Sequence, residues 1–103
     1  MQIREKINID FRKAQSFAEK LDCIADEIGL ALSSEAINSR QMVNMAWQGE
    51  NATHYITEFD VLMKEMKKTE DDLHKISYAV KTTASIIYGA ELAALQHTGT
   101  KLL

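Results

Sequence analysis

Three histidines and one cysteine are the residues of this chain best suited to hold a metal or to act as nucleophile or base. His54, His74 and His97 are separated by twenty and twenty-three residues along one stretch, too far apart to share an ion. Cys23 stands in the other half with no second thiol, so a zinc site is not expected. His54 and His74 read as solvated helix residues and Cys23 as a plain exposed thiol. The acids Asp71 and Asp72 are adjacent and so point in different directions on a helix, which suits a solvated face better than paired acid–base catalysis. A Gly-rich phosphate loop, a G-x-S-x-G elbow and an H-E-x-x-H pair are all missing from the sequence. The expectation is a protein that is not an enzyme, with no catalytic, cofactor-binding or metal-ligating residues and no cofactor.

Function must then rest on surfaces, and composition limits which. Apolar residues make up 46% of the chain and charged ones 26%, a balance that folds rather than stays disordered. A net charge of −3, with nine lysines and three arginines scattered rather than clustered, argues against nucleic acid and anionic membrane surfaces as partners. No uncharged apolar run approaches the roughly 20 residues of a membrane span. The opening Met-Gln-Ile-Arg-Glu-Lys is charged at once, so a cleaved secretory signal is not expected. At 103 residues the sensible expectation is a single domain spanning 1–103.

The first half carries a heptad stripe. Ile7, Phe11, Ala14, Ala18, Leu21, Ala25, Ile28 and Leu32 follow spacings of four and three without a break. Cys23 falls opposite that seam, at position f. Phe17, Ile24 and Ala31 widen the stripe to about three positions in seven, broader than a two-stranded coiled coil needs. After Leu32 the phase slips. Ala36, Val43 and Trp47 continue the stripe, whereas the old register would bury Glu35 and Ser39. A bend or loosened turn is expected there, beside Gly29, without a break in the helix. In the second half Phe59, Met66, Leu73, Val80, Ile87 and Ala94 recur every seven residues, with Leu62, Met63, Ile76 and Ala84 between them. Asn51 or Thr53 is the expected N-cap. The pattern predicts helix 1 over about 5–46, a turn over about 47–51, helix 2 over about 52–95 and a frayed tail over 96–103.

Between the two stripes stands Trp47-Gln48-Gly49. A glycine can take positive φ at the end of a helix, where a residue with a Cβ is penalised. An indole can cover the open end of a helix pair. One such hairpin has too little interior to bury both stripes, so a partner is expected. The candidate interface residues are Phe17, Leu21, Ile24, Ile28, Phe59, Met66, Leu73 and Val80.

Trp-x-Gly at the centre, a length near one hundred, heptad arms on both sides and the absence of proline resemble the WXG family. These are the early-secreted-antigen-like proteins of type VII secretion systems in Gram-positive bacteria and mycobacteria. The resemblance covers nearly the whole chain, although the motif fixes only two residues, Trp47 and Gly49. It implies an all-α helical hairpin that pairs into an elongated four-helix bundle. It implies a protein made in the cytoplasm and secreted without a cleaved signal peptide. The implied partners are a second copy, a related hairpin protein, a secretion ATPase, or the helical N-terminal region of a larger toxin for which this chain is the targeting partner. The family's Tyr-x-x-x-Asp/Glu export signal is not met: Leu92 follows Tyr88 at that spacing and Thr82 follows Tyr78. A looser signal, an apolar residue four before an acid and another three after it, is met by Ile87, Glu91 and Ala94, with Tyr88 alongside; ordinary heptad packing explains the same residues.

A weaker resemblance competes. Ile3 to Asp10 is similar to the opening of the all-helical chorismate mutases, which gather several arginines and lysines round a dianion. Here only Arg4, Arg12 and Arg40 are at hand, Lys64, Lys67 and Lys68 do not repeat that pattern, and the likeness leaves Trp47 and Gly49 unexplained.

Overall fold

The computed structural model describes residues 2–46 and 49–102; Met1, Trp47, Gln48 and Leu103 lie outside the described residues, and the expectations for Trp47 with them. The described chain is all-α. Helix α1 runs Ile3–Leu30, a π-helical turn occupies Ala31–Glu35, α2 runs Ala36–Ala46, and α3 runs Glu50–Leu102. No proline interrupts any of them.

The phase slip after Leu32 is the π turn. The Ala36 N–H reaches back five residues to the Ala31 carbonyl, which inserts one extra residue into the winding. That single insertion moves the seam from the 35/39 register to the 36/43 register. Glu35 and Ser39 accordingly face solvent, while Ala36 and Val43 are half-buried. The hydroxyls of Ser33 and Ser34 both donate to the Leu30 carbonyl, at 3.1 and 2.9 Å, and so fill acceptor capacity beside the irregular turn. Gly29 has a packing reason as well. A Cβ built there would lie 3.1–3.2 Å from the Glu70 carboxylate, so the glycine gives that side chain room against α1.

Three boundaries differ from the sequence pattern. Helix α1 begins at Ile3, two residues early, with the Lys6 N–H already bonded to the Gln2 carbonyl at 3.1 Å. The turn is shorter than 47–51, because α3 starts at Glu50 and the Thr53 N–H takes the Gly49 carbonyl at 3.2 Å. Asn51 and Thr53 therefore lie inside α3, and neither is its N-cap; the Thr53 hydroxyl instead bonds back to the Gly49 carbonyl. The expected frayed tail is helical through Leu102. Loss of the apolar stripe after Ala94 removed the periodic signal, but no proline or cap stops the backbone ladder there.

Gly49 has φ of +102°, the left-handed side that L side chains rarely adopt. Nothing lies within 4 Å of a Cβ built at this position, so a substitution meets backbone strain rather than a clash. Gly49→Val is expected to cost about 1–3 kcal/mol, read as a lowered urea midpoint. An unchanged midpoint would show that the turn re-forms with another residue in that conformation.

The described contacts group the chain into two units, Met1–Leu21 with Lys75–Leu103, and Asp22–His74. In the first unit, Asn8 meets Tyr88 and Ala18 meets Ser77, an antiparallel pairing of α1 with α3. Its core is thin and, apart from Ile7, made of small residues. Ile7, Ala18 and Ser77 are buried, and the Ser77 hydroxyl donates to the Ala18 carbonyl at 3.0 Å. Side chains this small bring backbones close enough for one helix's serine to reach the other's carbonyl. In the second unit, Asp22 meets His74, Gly29 meets Glu70 and Arg40 meets Asp60, again antiparallel, with Ala25 buried in the seam.

Candidate interaction surface

Because alanine and serine take the most buried seam positions, several large apolar residues stay largely exposed. In the first unit Phe17 is 54% exposed, Ile76 50% and Ile87 49%. Ile76, Val80, Thr83 and Ile87 follow a 4-3-4 spacing along one side of α3, and together with Ala14 of α1 they line an open apolar cleft. Phe17 lies one turn beyond Ala14, on the same side of α1. The surface is a long apolar trough whose walls come from both helices.

Further along the trough the packing becomes aromatic. Phe11 stacks on Tyr88 with ring centroids 4.4 Å apart and planes 21° from parallel, and the Tyr88 hydroxyl donates to Asn8 Oδ1 at 2.8 Å. Tyr88 is thus committed within its own unit, and of the candidate export residues only Ile87, Glu91 and Ala94 remain exposed. Of the eight candidate interface residues, Phe17 and Ile24 are exposed. Leu21, Ile28, Phe59, Met66, Leu73 and Val80 are half-buried, with part of each side chain already used inside the unit that holds it.

The second unit has its own exposed apolar residues towards the turn: Ile37, Met42 and Met45 on α2, and Tyr55, Val61 and Leu62 on α3. Tyr55 and Phe59 stack with centroids 6.4 Å apart. Polar pairs set the register of this unit. Arg40 forks onto Asp60, Nε to Oδ1 at 2.7 Å and Nη2 to Oδ2 at 3.1 Å. That hydrogen-bonded fork, with the attraction between the charges, raises the guanidinium pKa and lowers that of the carboxyl. Lys67 is held protonated by hydrogen bonds to Asp71 first and Glu70 second.

His74 differs from expectation. Its Nδ1 lies 2.9 Å from Asp22 Oδ1 and its Nε2 3.5 Å from Asp26 Oδ1, so the ring clasps α1 and is not a solvated bystander. Asp22 and Asp26 stand one turn apart on α1, and this i,i+4 acid pair was the available signal; the histidine's partner across the seam could be found only by pairing the helices. His54 is exposed and pairs locally with Glu58, and Cys23 is exposed, as their positions in the pattern imply. Ser77, the most buried polar residue described, carried no sequence signal, because a lone serine in an apolar stripe is read as a gap.

The Arg40–Asp60 fork carries a pH prediction. A carboxyl with a lowered folded-state pKa contributes stability that is full above the ordinary aspartate value and is lost as the pH falls through the lowered one. Asp60→Asn should therefore flatten the acid limb of a stability–pH curve and leave its basic side unchanged in shape. Both groups are substantially exposed, so the difference should shrink in high salt. An acid limb identical to that of the unaltered chain would rule the fork out as a contributor.

Among the described residues no helix is long and apolar enough to cross a membrane, and no group of three or more His, Cys, Asp or Glu side chains is arranged to hold a metal ion. Comparison with protein-family models, with curated proteins and with solved structures gives no match to this chain.

Proposed function

We propose that this chain is a small exported protein or export partner of a bacterial type VII secretion system, acting by association with a second helical hairpin to complete a four-helix bundle. The observation that carries the association is surface. In the first unit Phe17, Ile76 and Ile87 are each about half exposed along one apolar trough, a face that a second helix pair would cover. The assignment to type VII export rests on Trp47-Gln48-Gly49 between two heptad arms, and the positive φ of Gly49 supports it by giving that glycine a conformational reason.

A targeting partner for the helical N-terminal region of a larger toxin would use the same trough, so the two roles differ in the occupant and not in the surface. The test is made in the native host. Deleting the secretion ATPase should leave the cellular level of the protein intact and remove it from the culture medium. A protein that never reaches the medium of unaltered cells would overturn the export assignment while leaving the association to stand.

A further inference from the structure

Charge is unevenly spread along the trough of the first unit. At one end a cavity of about 160 Å³ is walled by Ile7, Phe11, Ala84 and Ile87, with Asp10 of α1 and Glu91 of α3 at its rim. An adjoining cleft shares Ile7, Asp10 and Glu91 and runs on to Ala94 and Leu95. In the other direction the cavity shares Ala14, Ala84 and Ile87 with the cleft that ends at Ile76, where no lining residue is charged. Among all these lining residues Lys6 is the one cation, and it already lies 3.9 Å from Asp10. Glu91 makes no ion pair or hydrogen bond among the described residues.

We infer that this end of the trough receives a helix of a different chain, one that sets an apolar side chain between Phe11 and Ile87 and a lysine or arginine between Asp10 and Glu91. The inference rests on the association proposed above and adds the chemistry of the partner. A helix covering the trough from Ile76 to Leu95 needs about twenty residues, or roughly 30 Å. Its apolar anchors would repeat at i, i+3 or i+4 and i+7, as in helix-in-groove recognition, with the cation at one end fixing direction.

Charge also decides against a second copy seated trough to trough. Such copies are related by a two-fold axis. With the axis along the trough, the acid end of one copy meets the acid end of the other, and two carboxylates per copy share one lysine. With the axis across it, the acids meet the Ile76 end, where no residue lining the cleft is charged. Both arrangements bury carboxylates without full partners, a costly outcome. A different chain with one well-placed cation avoids both.

The probes are two helix-stapled synthetic peptides of about five turns with the same leucine stripe, one bearing lysine and the other glutamate in the first turn. Binding to the full chain is followed by fluorescence anisotropy. The lysine peptide should bind about tenfold or more tightly than the glutamate peptide. The preference should vanish in the Asp10→Asn/Glu91→Gln double variant, whose helicity, checked by circular dichroism, should match the unaltered chain because both acids are exposed. Equal affinities, no binding of either peptide, or a preference that survives in the double variant would overturn the inference. Sedimentation of the chain alone separates its failure from that of the association. A tight self-dimer that neither peptide displaces refutes only the different-chain partner. A stable monomer that binds neither peptide refutes both.

Discussion

Replacing Ala18 by leucine is expected to cost about 3 kcal/mol, and in a helix pair with so thin a core that is enough to lose most of the cooperative transition. Ala18 has no exposed surface, and its carbonyl accepts the Ser77 hydroxyl at 3.0 Å. Three extra carbons at that position have no void to enter. They must push α1 off α3, which breaks the serine bond and strips water exclusion from the seam at once. The same substitution at Ala14, which borders the open trough, should be tolerated far better because the added side chain can lie in the cleft. Urea unfolding followed by helical ellipticity reads both variants. If Ala18→Leu unfolded at the midpoint of the unaltered chain, the close approach of the two helices would be wrong.

The opposite pattern is expected at the trough. Phe17→Glu and Ile76→Glu change residues that are each about half exposed, so the isolated chain should keep nearly all of its helicity. Association is another matter. Each variant gives up roughly 1.5–3 kcal/mol of apolar burial and adds a charge to a surface that must shed water. Affinity for the partner should fall by about a hundredfold or more in either variant. The two effects should be strongly non-additive if both residues meet one partner helix. Retained affinity in both variants would move the interface away from this face of the first unit.

How much of this was legible beforehand depends on what each feature rests on. The two heptad stripes were visible because they repeat, and the π turn could be placed because a one-residue slip after Leu32 shows as a change of phase. Its form could not be read, since a bend, a loosened turn and a π turn shift the register in the same way. The positive φ of Gly49 was readable from residue type and position. The ends of helices were not: Asn51 and Thr53 looked like caps, yet α3 had already begun at Glu50, and α3 continues past the point where its stripe fades. The stripe also could not say which apolar residues close the seam and which are left over. Alanine and serine, weak signals by hydropathy, take the closest contacts, while Phe17, Ile24 and Ile76, the strong signals, remain exposed. The same limit concealed His74 and Tyr88. Each has its partner on α1, more than fifty residues away in sequence, and only the antiparallel pairing brings them together.

The most direct test of the central claim is sedimentation equilibrium of the full chain at micromolar concentration, combined with thermal unfolding at several concentrations. The predicted result for the chain alone is a marginal fold with a low or broad transition, whose midpoint rises as an associating helix is added. A sharp, concentration-independent transition from a monomer of ordinary stability would contradict the account, because such a chain would have no need of a partner to cover its apolar trough.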